Sequence, residues 1–128
     1  MPTRIQRKRT AGWKKPEGAV YVGRGTRWGN PWAIAETNTG TGWTVNWAGS
    51  RDQTPGVLRT EVPANDRRDA HVLAVEMYEN WLYAQPQLLE RARQDLAGRD
   101  LMCWCAESLP CHAEVLLRVA NSAGSNGT

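Results

Sequence analysis

The chain has 128 residues, 41% of them hydrophobic, with 16 basic and 13 acidic residues and a net charge of +3. That length suits one domain whose core needs no disulfide support. Three cysteines, an odd count, argue against a secreted disulfide framework, and no apolar run reaches the length of a membrane span or a signal-peptide core, so a cytoplasmic location is expected.

The N-terminus is basic: Arg4, Arg7, Lys8, Arg9, Lys14 and Lys15 crowd it. Such an arm either contacts nucleic acid or is a solvated edge strand whose charges discourage pairing. Residues 4–8 predict a short strand, anchored by Ile5. Residues 12–18 read as a loop. Residues 19–22, Ala-Val-Tyr-Val, are apolar throughout, which predicts a central strand.

That strand runs into the glycine-rich segment 23–32. Ligand loops gather at the carboxyl ends of sheet strands. Glycines let backbone N–H groups approach an anion, and arginine contacts phosphate or carboxylate in bidentate fashion. Arg24, Thr26, Arg27, Trp28 and Asn30 are therefore the candidate ligand-binding residues, with Trp28 or Trp32 available to stack on a base. The segment carries no Gly-Lys-Ser/Thr phosphate loop and no Gly-x-Gly-x-x-Gly fingerprint. Its alternative reading is an ordinary turn through Gly29, Asn30 and Pro31.

Residues 32–35 begin another short element. Trp43, Val45 and Trp47 alternate with Thr44 and Asn46, as in a half-buried strand, and residues 57–62 form a plausible partner. The expectation is a hairpin near 43–62, within an insertion over 36–62. A helix starts at Pro63 or Asn65, with Asp66 and Asp69 suited to its N-terminal dipole and Ala70, Leu73, Ala74, Met77 and Trp81 on one face. A second helix starts near Pro86 and stops at Gly98. A strand over 101–105 and a helix over 111–120 complete the domain, and residues 122–128 form a small, polar, disordered tail. Strands alternating with about three helices predict an α/β or α+β fold, one domain over 1–121, with central strands near 19–22 and 101–105.

The segment 101–112, Leu-Met-Cys-Trp-Cys-Ala-Glu-Ser-Leu-Pro-Cys-His, holds every cysteine of the chain and one of its two histidines. On a strand, Cys103 and Cys105 face one side and Trp104 the other. Pro110 suits a helix start, which places Cys111 and His112 in the first turn. Thiolate and imidazole donors at short spacing favour zinc, held by Cys103, Cys105, Cys111 and either His112 or the distant His71. A reactive or anion-facing site is the second reading, because a helix N-terminus lowers a thiol pKa and attracts anions. The third is core packing, with His112 a helix cap. If the strands ending at Gly23 and Cys105 are neighbours, both loops leave one sheet edge and share a cleft.

Residues 4–9, the segment 20–24 followed by Gly29-Asn-Pro31, the helix with Tyr78, Trp81 and Leu82, and residues 101–121 with Cys-Trp-Cys and Pro-Cys-His together resemble the phage and bacterial domain-of-unknown-function family 4326. The likeness covers most of the chain and departs from the usual shorter pattern over 36–62. It implies a phage or bacterial intracellular setting and no established activity.

On the residues themselves, the first reading is an enzyme acting on a nucleotide or nucleotide-derived small molecule, by N-glycosidic or phosphate-ester hydrolysis. Cys111, His112 and Glu114 are its catalytic candidates, with Glu107 as an alternative acid/base, and zinc is the expected cofactor. The alternatives are a zinc-stabilised nucleic-acid-binding module that uses the basic arm, and a protein that sequesters a nucleotide. No membrane partner is expected.

Overall fold

The protein is described from a computed structural model, which covers residues 2–23, 25–37, 42–49, 61–106 and 108–121. In chain order these form β1 (Arg4–Gln6), β2 (Val20–Tyr21), β3 (Trp32–Glu36), β4 (Trp43–Trp47), β5 (Glu61–Ala64), α1 (Arg67–Tyr83), α2 (Pro86–Asp95), β6 (Leu101–Cys103) and α3 (His112–Asn121). Three helices and two small sheets make an α+β fold. Arg24, residues 57–60 of the expected hairpin and the tail 122–128 lie outside the described residues.

The first sheet is parallel, in the order β1-β6-β2. Leu101, Met102 and Cys103 are all buried, as an apolar strand flanked on both sides should be. The expectation of two central strands is corrected here: β6 is central, but Val20–Tyr21 lies at the sheet's edge. The apolar run over 19–22 reports burial, not strand order. Ala19 and Val22 are buried, and Val22 belongs to the main core with Leu82, Leu101 and Leu116. The basic segment after β1 is tied to β6 by the Arg7 N–H, which donates to the Cys103 carbonyl at 2.7 Å.

The second sheet is antiparallel, in the order β3-β4-β5. The hairpin of β4 and β5 is thus not a free-standing appendage, because β3 pairs with β4 along its whole length. Its partner strand is Glu61–Ala64, so Pro63 sits in an edge strand instead of starting the helix. Ile34, Val45 and Val62 fall in one register line. Val45 and Trp32 pack with Ala70 and Ala74, and Trp32 meets Trp47 edge to face at 5.3 Å.

Asp66 caps α1, its Oδ1 accepting from the Asp69 N–H at 2.7 Å, while Asp69 Oδ2 accepts from the Asn65 N–H at 2.9 Å. The helix serves both cores. Its first half presents Ala70 and Ala74 to the antiparallel sheet, and its second half presents Tyr78, Trp81 and Leu82 to the core built on α2, α3 and β6. A cleft opens where those two cores meet.

Candidate functional site

Because β2 and β6 run parallel and adjacent, the loops that follow them leave the same sheet edge. Gly23 comes from the first loop, and Cys103, Trp104 and Cys105 from the end of β6 and the second loop. All four line a cleft of about 530 Å³, with Pro110, Cys111 and His112 beside them. Trp32, Ile34 and Trp43 of the antiparallel sheet and Arg67, His71, Ala74 and Val75 of α1 complete the wall.

The Sγ atoms of Cys103, Cys105 and Cys111 all lie within 4.8 Å of one another, and Cys103 and Cys111 approach to 3.0 Å. A tetrahedral zinc with Zn–S bonds of about 2.3 Å sets sulfurs roughly 3.8 Å apart, so the three donors fit that ion with small side-chain rotations. Cys103 and Cys111 are buried, whereas Cys105 is partly exposed. The thiols share protons unequally. Hydrogen bonds from Cys105 and Cys111 hold Cys103 far below the ordinary thiol range, at about 3. The same contact with Cys103 pushes Cys105 up to about 11. It also raises Cys111, with burial adding to the effect.

Neither histidine belongs to that compact sulfur group. His112 Nε2 lies 2.7 Å from the Val22 carbonyl oxygen. A carbonyl can only accept, so Nε2 carries the proton and Nδ1 the lone pair. Nδ1 stands 3.6 Å from Cys111 Sγ. Burial keeps this imidazole below its usual pKa, and its ring meets Tyr78 edge to face at 5.1 Å. His112 therefore ties the start of α3 to the end of β2 and fixes Cys111 from behind, an outer-shell placement. His112→Phe should cost about 1–3 kcal/mol in denaturant unfolding, because the Val22 carbonyl is left without its donor.

The loop from Cys105 to Cys111 is pinned by cations on its carbonyls. Arg4 donates through Nη1 to Leu109 at 2.8 Å and through Nη2 to Ala106 at 3.3 Å. Arg68 donates to Ser108 at 2.9 Å. The Pro110 backbone lies close enough to the His71 ring to favour its protonated form. Burial, then the charge of Arg67, lowers the pKa of His71, which leaves it neutral at neutral pH.

The other expected residues separate. Glu114 is exposed and reaches back along α3, its carboxylate accepting from the Cys111 N–H at 3.3 Å and standing 4.0 Å from Arg4. This is the capping arrangement of a helix start, and Glu114 is not among the residues that line the cleft. Thr26 folds its own loop, donating to the Gly23 carbonyl at 2.7 Å and accepting from the Trp28 N–H at 3.3 Å. Trp28 is buried in the main core, and its carbonyl accepts from the Tyr78 hydroxyl at 2.8 Å, so it is not free to stack on a ligand. Asn30 does line the cleft, but both ends of its amide are engaged: Nδ2 donates to Ala74 at 3.1 Å and Oδ1 accepts from the Trp32 N–H at 2.8 Å. Arg27 lines a different groove, with Trp81, Gln85, Pro86, Leu88 and Arg91. The loop leaves β2 at the cleft, then buries Trp28 in the core and turns Arg27 toward the other groove.

Sequence reasoning placed His71 only as a distant fourth donor and left out Arg67, Trp43 and Trp104 as cleft residues. Arg67 and His71 are four apart on a helix and share one face, which is the signal that pairs them.

The chain belongs to the family described as Domain of unknown function (DUF4326), whose model matches residues 5–122. No curated protein and no solved structure matches it.

Proposed function

We propose that this family member is a zinc-dependent enzyme acting on a nucleotide or nucleotide-derived small molecule, with hydrolysis at an N-glycosidic or phosphate-ester bond as its reaction class. The observation that carries this reading is three clustered cysteine sulfurs at the wall of a cleft of about 530 Å³ that also holds three tryptophans and an arginine. Cys103, Cys105 and Cys111 would hold a zinc ion with three protein donors, the number found in catalytic sites, whereas structural sites are closed by four. Zinc in such a site acts as a Lewis acid and lowers the pKa of bound water.

The chain's own residues supply binding and orientation. Trp43 and Trp104, both partly exposed, offer apolar faces suited to a base. Among the described residues the Arg67 side chain makes no hydrogen bond or ion pair, so its guanidinium is available to a phosphate. His71 lines the cleft, and its lowered pKa keeps the imidazole able to accept or pass a proton.

Thermal-shift and calorimetric titrations of the zinc-loaded protein test this reading. Nucleoside monophosphates are expected to bind more tightly than the matching nucleosides. Arg67→Ala should weaken the monophosphate by about 10- to 100-fold, the range for a charge-assisted hydrogen bond, and leave the nucleoside unchanged. Stoichiometric zinc without binding of any nucleotide would remove the substrate assignment. Release of free base or of inorganic phosphate then decides which bond is cut.

A further inference from the structure

Trp104 belongs to two places at once. It lines the cleft beside the cysteines, and at 40% exposure its ring also reaches the surface. The basic N-terminal segment gathers there. The Arg7 guanidinium lies 5.0 Å from the Trp104 ring centre and 5.1 Å from that of Tyr21, and Arg9 lies 4.9 Å from Trp104. Arginine stacked on an aromatic face keeps its N–H donors in the guanidinium plane, where they remain available to an anion. Among the described residues no carboxylate pairs with Arg7, Lys8, Arg9, Lys14 or Lys15. Residues 2–23 hold six basic side chains and one acidic one, Glu17, so this segment carries more positive charge than the whole chain does in net.

We propose that Arg7, Arg9 and the Trp104 ring they stack on form a surface for the phosphate backbone of single-stranded nucleic acid, at the rim of the cleft, so that one nucleotide of the strand enters it. The inference rests on the nucleotide reading of the cleft. A mononucleotide carries its phosphates at one point, whereas these cations run along a segment, as a polymer of phosphates requires. A duplex holds its bases stacked, and a base must leave the stack to enter an enclosed site, which favours a single strand. Arg7 is set in place by its backbone bond to Cys103, so the surface is fixed relative to the sulfur cluster.

The test uses the zinc-loaded full chain and a fluorescein-labelled single-stranded 15-mer of DNA, with affinity followed by anisotropy from 50 to 200 mM salt. Wild-type affinity is expected to fall linearly in log–log form. Arg7→Ala with Arg9→Ala should lower that slope by about 1.4, since each phosphate contact on a single strand contributes about 0.7. Arg7→Lys with Arg9→Lys should keep the slope, because the charge remains. Arg9→Ala alone, at an exposed position, should lower it by about 0.7 and serves if the double variant does not fold. Zinc content and mononucleotide affinity should be unchanged in all of them. A slope identical in wild type and the alanine variants overturns the proposal, as does equal affinity for the 15-mer and a mononucleotide. Failure of the cleft reading looks different: mononucleotides would not bind, while the 15-mer slope still responded to Arg7 and Arg9.

Discussion

Zinc at one ion per chain in the wild type, and its loss in Cys103→Ser, Cys105→Ser and Cys111→Ser, is the expected result of metal analysis on the purified proteins. The three sulfurs share one small volume, so each substitution removes a third of the thiolate donors. Binding free energy at such sites is folding free energy, on the order of 10 kcal/mol for strong thiolate sites. With zinc at about 1,000 times its dissociation constant, the native state gains about 4 kcal/mol. For a chain of this size that corresponds to a rise in Tm of about 10–20 °C, which a chelator should reverse. The three variants should differ once metal is removed. Cys103 and Cys111 are buried in the main core, so a serine hydroxyl there lies among apolar neighbours and costs about 1–3 kcal/mol. Cys105 is partly exposed, so Cys105→Ser should be close to neutral in the metal-free protein. Acidification should release the ion, because protons compete for the thiolates. If wild-type protein purified and reconstituted with zinc holds none, the cluster is packing, and the enzyme reading loses its premise.

Arg4→Ala is expected to have the largest effect of any single change outside the cysteines. Its side chain is only 10% exposed and supplies two hydrogen bonds to carbonyls of the loop between Cys105 and Cys111. Each charge-assisted bond contributes about 1.5–3 kcal/mol, so the variant should unfold about 3–5 kcal/mol more easily in urea. The ion pair with Glu114 is long and its acid exposed, so it contributes little by comparison. Arg4→Lys tests the geometry: a lysine keeps the charge but not the fork that reaches two carbonyls, and should recover only part of the loss. The same variants should weaken zinc by about 10- to 100-fold, as removal of outer-shell partners does elsewhere. Unchanged stability in Arg4→Ala would mean that Arg68, through Ser108, suffices to hold the loop.

How much of this was legible before the structure depends on the range of the interactions involved. The segment 101–112 disclosed its thiol cluster directly, because the three sulfurs come from within nine residues, Cys103 to Cys111, and local geometry brings them together. Helices α1, α2 and α3 were legible from apolar spacing and from Asp66, Pro86 and Gly98 at their ends, since caps and periodicity are local properties. The alternation of Trp43, Val45 and Trp47 marked a strand for the same reason.

Long-range partners decided the rest. Arg4 looked like one more charge in a basic arm, and it reaches carbonyls more than 100 residues away. Arg27 and Trp28 looked like ligand residues of a glycine-rich loop, but Trp28 is buried in the core and Arg27 faces another groove, while Asn30 lines the cleft with its amide already engaged. His71 was offered as a distant partner of the cysteines, but nothing local showed that Arg67 shares their cleft, because that depends on α1 bridging two sheets. The sequence by itself determined the donors, the helices and the half-buried strands, through spacings that act within one element. Only the tertiary structure decided which side chains meet across the cleft, because that is set by strand order and helix packing between residues far apart in the chain, where no local pattern constrains the answer.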